Sequence, residues 1–334
     1  MGRRGQGTGV HTRIAGFWAG LPPAGGGIVM ATGIESVSLH LAGFEFLSQV
    51  LMVLAAAVWL AFVAVFAYRF LRRRSQWMTE ASTPPALTGI AGTCVLGTRL
   101  ALFGWKQVAV ALLVIAAVVW PVLLVAVMRH WRRGMPGAVF LVTVATQGLA
   151  VLAATLAGLW KQSWLAMVAF LLLVLGLALY LQALYRFDLR QIRTGMGDQW
   201  VAGGALAISA LAASKLTGFA PWTGAMHAML RWLTFVVLFF ALAWYAVMVW
   251  AELRWPRPGY DIRRWATVFP MGMSAAACLS TSVAAGVGWL GPLGRVLMWV
   301  AFAVWFATGC GLVAAWGRAV AGDRPEQRAR QRVS

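Results

Sequence analysis

The stretch RWATVFPMGMSAAACLS, residues 264–280, decides how the rest of the chain is interpreted. It is apolar enough to lie in a membrane, yet it carries Pro270 directly after Phe269. In a helix interior, proline removes a hydrogen bond and clashes with the preceding turn. Irregular backbone at membrane depth is tolerated only where it is buried in protein or lines a wet cavity. The stretch therefore predicts a broken helix that bends the wall of a pathway and offers a freed carbonyl near Ala266 to a solute.

The composition places the whole chain in a membrane. Of the 334 residues, 61% are hydrophobic and only 11% are charged, whereas soluble domains are about 45–50% apolar and about 25% charged. We therefore predict an all-α polytopic membrane protein that folds as one helical bundle in the lipid bilayer. The polar, basic start of the chain lacks the short apolar core of a cleavable signal peptide, so we expect none.

Apolar segments of two kinds alternate along the sequence. A spanning helix needs about 20 apolar residues. Five long runs of large apolar residues satisfy this, at about 46–69, 104–128, 163–185, 228–251 and 294–317. Five weaker runs rich in Gly, Ala, Ser and Thr lie between them, at about 23–41, 86–102, 137–158, 199–217 and 263–288. The pattern predicts ten transmembrane helices.

A repeat of a weak and a strong segment accounts for this order. Each long run closes on an arginine, and these are Arg69, Arg129, Arg186, Arg254 and Arg318. Repeats in membrane transport proteins surround a common site. We therefore predict five inner/outer helix pairs around a central pore.

Charge supports this topology. With ten helices and both termini in the cytoplasm, 22 Lys and Arg residues fall on the cytoplasmic side and 6 on the external side, which accounts for all 28. Such a bias is the positive-inside signal. It predicts a multi-pass protein of the plasma (inner) membrane with both termini cytoplasmic, and it explains the net charge of +19 without nucleic acid as a partner. The predicted division is a cytoplasmic tail at 1–20, a ten-helix domain at 21–320 and a basic cytoplasmic tail at 321–334.

The weak segments supply the candidates for a pore lining. Small residues leave room along an axis, and hydroxyls can meet a solute. The candidates are Thr32, Gly33, Thr93, Thr146, Gly204, Pro270 and Gly272. The competing interpretation is that small residues only let helix backbones approach closely.

Three charged residues lie within predicted membrane segments, namely Glu35, Arg99 and Lys215. Intramembrane charge is costly and usually functional. Glu35 and Arg99 are nearly level when counted from the inner ends of their helices, so an ion pair between them is one interpretation, with Lys215 as the second partner. Proton coupling through Glu35 and simple exposure of Glu35 to a vestibule are the others.

Three stretches together resemble a known family. They are PPAGGGIVMATGIESVS at 22–38, VTVATQGLAVLAA at 142–154 and WATVFPMGMSAAA at 265–277. With the ten-helix repeat and the W-x-x-x-F-P motif, they are similar to the tellurite-resistance/dicarboxylate transporter family. That family includes the slow anion channels of plant guard cells, yeast sulfite exporters and malate permeases.

The resemblance implies a homotrimer in which each subunit has its own pore of five kinked inner helices. It also implies an aromatic gate, which here matches Phe269; the alternative is that this ring only packs beside Pro270. Family pores are largely uncharged, and Glu35 departs from that pattern.

The function that the resemblance implies is transport of small anions. They would be a C4-dicarboxylate such as malate, or tellurite- or sulfite-type oxyanions. A passive channel for chloride or nitrate is the alternative. An integral membrane enzyme is a distant third, since we find no candidate catalytic cluster. The scattered His and Cys residues predict no metal site, and we expect no cofactor.

Overall fold

The computed structural model describes residues 25–257 and 259–321. The predicted N-terminal tail and residues 322–334 of the predicted C-terminal tail lie outside the described residues. Within the described ranges the fold is all-helical, and the only β-type pairing there is an isolated bridge between Met135 and Phe187.

The described residues form ten long helices, which we number in chain order. They are α1 (Gly26–Leu41), α2 (Glu45–Arg72), α3 (Thr88–Phe103), α4 (Lys106–Met128), α5 (Leu141–Trp160), α6 (Ser163–Arg186), α7 (Val201–Thr217), α8 (Gly224–Arg254), α9 (Trp265–Ala284) and α10 (Leu290–Ala321). Short 3-10 turns lead into four of the odd-numbered helices, at Pro84–Leu87, Gly137–Phe140, Asp198–Trp200 and Ile262–Arg264. Two further short helices, Arg74–Ala81 and Gln191–Thr194, lie in the connections.

Burial separates the odd-numbered helices from the even-numbered ones. In α5, all of the most apolar stretch is buried, whereas in α10 only 17% of it is. The odd-numbered helices carry the small residues and the even-numbered ones carry exposed Leu, Val, Phe and Trp. Because apolar side chains are at no disadvantage in lipid, this distribution places the even-numbered helices outside and the odd-numbered ones inside. We call them the outer and inner helices.

The five inner helices form a closed ring. Each packs against the next in the order α1, α3, α5, α7, α9, and α9 packs back against α1. Each outer helix packs against the inner helix that precedes it in sequence. The inner helices run in one direction, since the segments at their N-termini meet: Thr267 Oγ1 donates to the Gly197 carbonyl at 3.3 Å, and the Ala138 amide donates to Asp198 Oδ2 at 3.3 Å.

Nine helical segments of the described chain are long and apolar enough to cross a membrane. The exception among the ten long helices is α1, which has 16 residues. A multi-pass, all-helical membrane protein is thereby confirmed, while the tenth crossing stays a prediction. Each helix lies at a position that the sequence predicted.

The helix that carries Pro270 is not broken. The α9 helix runs continuously from Trp265 to Ala284 and includes Pro270 as its sixth residue. The expectation of a broken helix was wrong, because proline near a helix start removes only one intrahelical bond. Another proline, Pro121, lies inside α4, which also continues past it.

Candidate functional site

A cavity of about 100 Å³ opens where the inner helices begin. All five contribute to its wall, through residues at or just before their N-termini. The lining residues are Gly27, Met30, Pro85, Thr88, Ala138, Leu141, Asp198, Val201, Arg263, Trp265, Ala266 and Phe269. We call it the inner cavity. It lies on the axis of the ring, since a space bounded by every member of a ring is enclosed by it.

A second, much smaller cavity lies further along the same axis. Its volume is about 10 Å³, which is at the limit for a single water molecule. All five inner helices line it, with Ile34, Val37, Val95, Thr98, Gly148, Val151, Ile208, Leu211 and Met273. We call it the outer cavity. Its wall is uncharged and almost wholly apolar.

Phe269 lies at the boundary between the two cavities. It lines the inner cavity, and Met273, one helical turn further along α9, lines the outer one. The same step separates Met30 from Ile34 on α1. Four residues correspond to about 6 Å along a helix. The side chain of Phe269 is only 1% exposed, so no open passage for solvent surrounds the ring in this conformation.

The inner cavity lies in a field that favours anions. The N-terminus of a helix carries roughly half a positive charge, and five of them face this cavity. Arg263 adds a guanidinium, which donates to Asp261 through Nε and Nη2 at 3.0 Å each. These bonds lower the pKa of Asp261, which lies outside the membrane segments. The buried Asp198 carboxylate offsets part of the field.

The three threonines predicted to line the pore face elsewhere. Each hydroxyl oxygen accepts a hydrogen bond from the indole of an outer helix: Trp305 to Thr32 at 3.0 Å, Trp59 to Thr93 at 2.8 Å and Trp120 to Thr146 at 3.1 Å. None of the three lines either axial cavity. Their prediction as pore-lining residues is corrected, because an interhelical donor satisfies each hydroxyl away from the axis.

The glycines predicted to line the pore are positions of close helix contact. A Cβ atom at Gly33 would lie 2.9 Å from Val95 Cγ1, and one at Gly204 would lie 2.8 Å from Pro270 Cγ. A Cβ at Gly272 would lie 3.1 Å from Glu35 Cδ. The packing interpretation of small residues therefore holds for all three. Pro270 fits against α7 because residue 204 has no side chain.

The predicted ion pair between Glu35 and Arg99 is wrong. Arg99 is fully buried and donates instead to Glu45 Oε1 at 2.6 Å and to Ser48 Oγ at 2.8 Å. Glu45 also bonds the His40 ring at 2.5 Å. The level of a residue along its helix does not define which way its side chain points, and Arg99 points toward the start of α2.

Glu35 is fully buried and has no basic partner among the residues that the structure describes. Within that part of the chain, its Oε1 atom has no hydrogen-bond partner, and Oε2 has only the Ser38 hydroxyl at 3.5 Å. Its burial also excludes the interpretation that it is exposed in a vestibule. Lys215, the second predicted partner, is half-buried in the last turn of α7 and is not bonded to it. The third interpretation, proton coupling through Glu35, stays a prediction.

Sequence reasoning missed the residues that form the axial wall. They are apolar residues three apart on the inner helices, such as Ile34 and Val37, or Ile208 and Leu211. Side chains three apart share one face of a helix, so a search for that spacing within the weak segments would have found them. The predicted threonines were chosen for their hydroxyl groups, and they lie on faces of the inner helices that point away from the axis.

Comparison with known proteins agrees with this geometry. A family model described as voltage-dependent anion channel, SLAC1, matches residues 20–313. No curated protein matches the chain. The match covers most of the chain, including every inner helix and all the residues around the two cavities. The chain therefore belongs to the SLAC1 family of voltage-dependent anion channels, and it carries anions across a membrane through a pore.

Proposed function

We propose that this protein is a passive channel for small monovalent anions such as chloride and nitrate. The observation that carries the proposal is the pair of axial cavities, which all five inner helices line and between which Phe269 lies. The path runs from the inner cavity past Phe269 into the outer cavity. In this conformation Phe269 closes it.

The chemistry of the walls favours a monovalent anion. A dicarboxylate carrier requires cationic groups that hold both carboxylates, as bidentate arginines do. Among the described residues that line the two cavities, Arg263 is the one basic side chain, and it is already bonded to Asp261. An apolar wall offers no substitute for the hydration of a divalent anion. Transport of malate, sulfite or tellurite is the second candidate, and Arg263 is the residue that would favour it.

The proposed orientation has ten membrane crossings in five inner/outer pairs, with both termini in the cytoplasm and the inner cavity on the cytoplasmic side. The arginines that follow the outer helices support this arrangement, and so does the position of α1 within the ring. The cell membrane is the proposed location. Clustered basic charge at that surface would raise the local anion concentration.

Assembly as a homotrimer, which the family resemblance implies, is part of the proposal. Each ring of inner helices is closed within one chain, so each subunit would conduct by itself. The mass of the purified particle, measured by light scattering with correction for detergent, tests this assembly.

The function is tested by reconstitution into liposomes, with flux measured for chloride, nitrate, malate and sulfite. We expect Phe269→Ala to raise chloride and nitrate flux several-fold, because it removes the largest side chain at the constriction. The variant should stay folded, because a side chain next to cavities gives up less packing than one in a core.

The matched control is Phe140→Ala. Phe140 is also fully buried, but it packs against Tyr180 and Phe187 instead of lining either cavity. Truncation of a core phenylalanine costs about 3–5 kcal/mol of stability, so this variant should be destabilised without any gain in flux. A destabilised Phe269→Ala with unchanged flux would contradict the proposal. Higher malate than chloride flux would favour the second candidate.

A further inference from the structure

The carboxyl group of Glu35 lies in a notch between two helices of the conducting ring. Gly272 on α9 forms the notch, since a Cβ atom there would lie 3.1 Å from both Glu35 Cδ and Ile34 Cγ2. Only glycine leaves room for the carboxyl group at this contact. The two helices that hold it are neighbours in the ring.

The notch is directly behind the wall of the path. Ile34, the residue before Glu35, lines the outer cavity, and so does Met273, the residue after Gly272. Phe269 is three residues before Gly272, on the same side of α9 within one turn. A change in the spacing between α1 and α9 at this notch would therefore move both the cavity wall and the constriction.

No cation within residues 25–257 and 259–321 is bonded to Glu35. From its own helix it has the Ser38 hydroxyl, and from α9 it has the backbone of Gly272. From α8, the phenol of Tyr245 lies within electrostatic range of it. From α10, the Trp305 indole is bonded to Thr32. At the opposite end of α1, Glu45 of α2 and Arg99 of α3 are bonded to each other, and His40 on α1 is bonded to the same Glu45. Of the two arginines in the last turn of α2, Arg69 is bonded to Glu80 and Arg72 is exposed.

This environment accommodates a neutral carboxylic acid and disfavours a carboxylate. An ionised oxygen without a donor, away from water, is strongly unfavourable. A protonated group can remain in the notch with α1 and α9 in close contact. Once its proton passes to water, the carboxylate must gain hydration, which requires the two helices to separate at Gly272.

We propose that Glu35 is a proton-binding site that couples anion conduction to pH. With the proton bound, α1 and α9 pack closely and Phe269 closes the path. With the proton released, the two helices move apart and the path opens. This inference rests on the proposed function, because it concerns the regulation of the same pore.

The test is chloride flux in liposomes over a series of pH values. Wild-type flux should rise as pH increases. Glu35→Gln keeps the shape of the acid but cannot ionise, so its flux should stay at the low, closed value across the series. Asp188→Asn changes a carboxylate in the connection after α6, far in sequence from the pore, and should keep the wild-type profile. His40→Gln should also keep it, which excludes the imidazole as the titrating group.

A double variant shows that the glutamine protein still folds and conducts. Glu35→Gln combined with Phe269→Ala should conduct at a high level that does not vary with pH. Infrared spectra add a readout that is independent of flux: the carbonyl band of a protonated acid, absent from Glu35→Gln, should disappear from the wild type over the pH range in which flux rises.

Two results would overturn the inference: a Glu35→Gln protein with the wild-type pH profile, or an infrared band that persists while flux rises. The proposed function fails in a different way. If Phe269→Ala conducts no anion at any pH, the path itself is wrong, whatever the behaviour of Glu35.

Discussion

At the scale of single residues, the buried charged side chains depart most from their predicted roles. Arg99 is fully buried, yet two of its nitrogens have partners at the start of α2. Its Nη1 atom has no partner among the described residues. Glu45, the acid that compensates it, has a side chain that is 44% exposed. The pair therefore lies near the protein surface. It links α3 to α2, and the bond between Glu45 and His40 links α2 to α1.

A double-mutant cycle distinguishes the observed pair from the predicted one. Removal of one partner of a buried pair costs about 3–5 kcal/mol, and the exposure of Glu45 should keep the loss for Glu45→Gln below that range. We expect the changes Glu45→Gln and Arg99→Gln to be coupled by about 0.5–3 kcal/mol, as is usual for residues in contact. Chemical unfolding in detergent measures this coupling.

The same cycle with Glu35→Gln and Arg99→Gln serves as the comparison. Residues without a shared partner add to within about 0.5 kcal/mol, so no coupling beyond that is expected. Strong coupling between Glu35 and Arg99, with none between Glu45 and Arg99, would restore the pair predicted from the sequence.

At the scale of the helices, tryptophan–threonine hydrogen bonds join neighbouring units of the repeat. Each runs from an outer helix to the inner helix of the next unit: α2 to α3, α4 to α5 and, across the closure of the ring, α10 to α1. The threonine hydroxyl of α3 or α5 donates in turn to a carbonyl one turn earlier. Three of the outer helices, α2, α4 and α10, are thus held by their own inner helix through packing and by the next one through a hydrogen bond.

Thr146→Val should destabilise the protein by about 0.5–1.5 kcal/mol, the usual net contribution of one hydrogen bond. Valine has nearly the same shape, so the change removes the acceptor of the Trp120 indole and the local bond of the hydroxyl to the Val142 carbonyl. Thermal unfolding in detergent gives the shift. Double-mutant cycles in membrane proteins average about 0.6 kcal/mol for such bonds, so we expect a loss in the lower half of the range.

The control for this prediction is Thr143→Val on the same helix. Thr143 is fully buried, and its hydroxyl has no hydrogen-bond partner in the described part of the chain. Its replacement by valine removes an unsatisfied polar group and should leave stability unchanged or raise it. Equal losses at positions 143 and 146 would show that the bond to Trp120 does not contribute.

At the scale of the whole molecule, the parallel ring of inner helices gives the protein its polarity. All five N-termini meet at one end, where the inner cavity lies. The helix dipoles therefore add along the axis instead of cancelling. An anion is favoured at that end by the backbone itself, before any charged side chain contributes.

Surface labelling tests the proposed orientation. The connection after α4 should face the cytoplasm and that after α5 the outside. An impermeant thiol reagent added outside should label Gln162→Cys and leave Arg132→Cys unlabelled until the membrane is permeabilised; both native residues are exposed. The exposed Cys310 must first be replaced, whereas Cys94 and Cys278 are buried. External labelling of position 132 would contradict the ten-crossing topology.

The sequence by itself determined the class of the protein, the positions of the helices and the division into inner and outer sets. These properties depend on composition and on the spacing of apolar and small residues, which are local and additive. The resemblance around residues 265–277 indicated anion transport, and the family match agrees with it. The same stretch brought Phe269 to attention, and the structure places that residue at the boundary of the two cavities.

Only the tertiary structure decided which face of each inner helix meets the axis. A rotation of a helix about its own axis leaves its composition unchanged. On α1, the rotation decides whether Thr32 or Ile34 lies in the wall of the path. On α3, it decides whether Arg99 points toward Glu45 or Glu35. Partners such as Gly272 for Glu35, or Gly204 for Pro270, are far apart in the chain and meet only when the ring closes. The direction of a side chain is set by packing between helices, and no single segment contains that information.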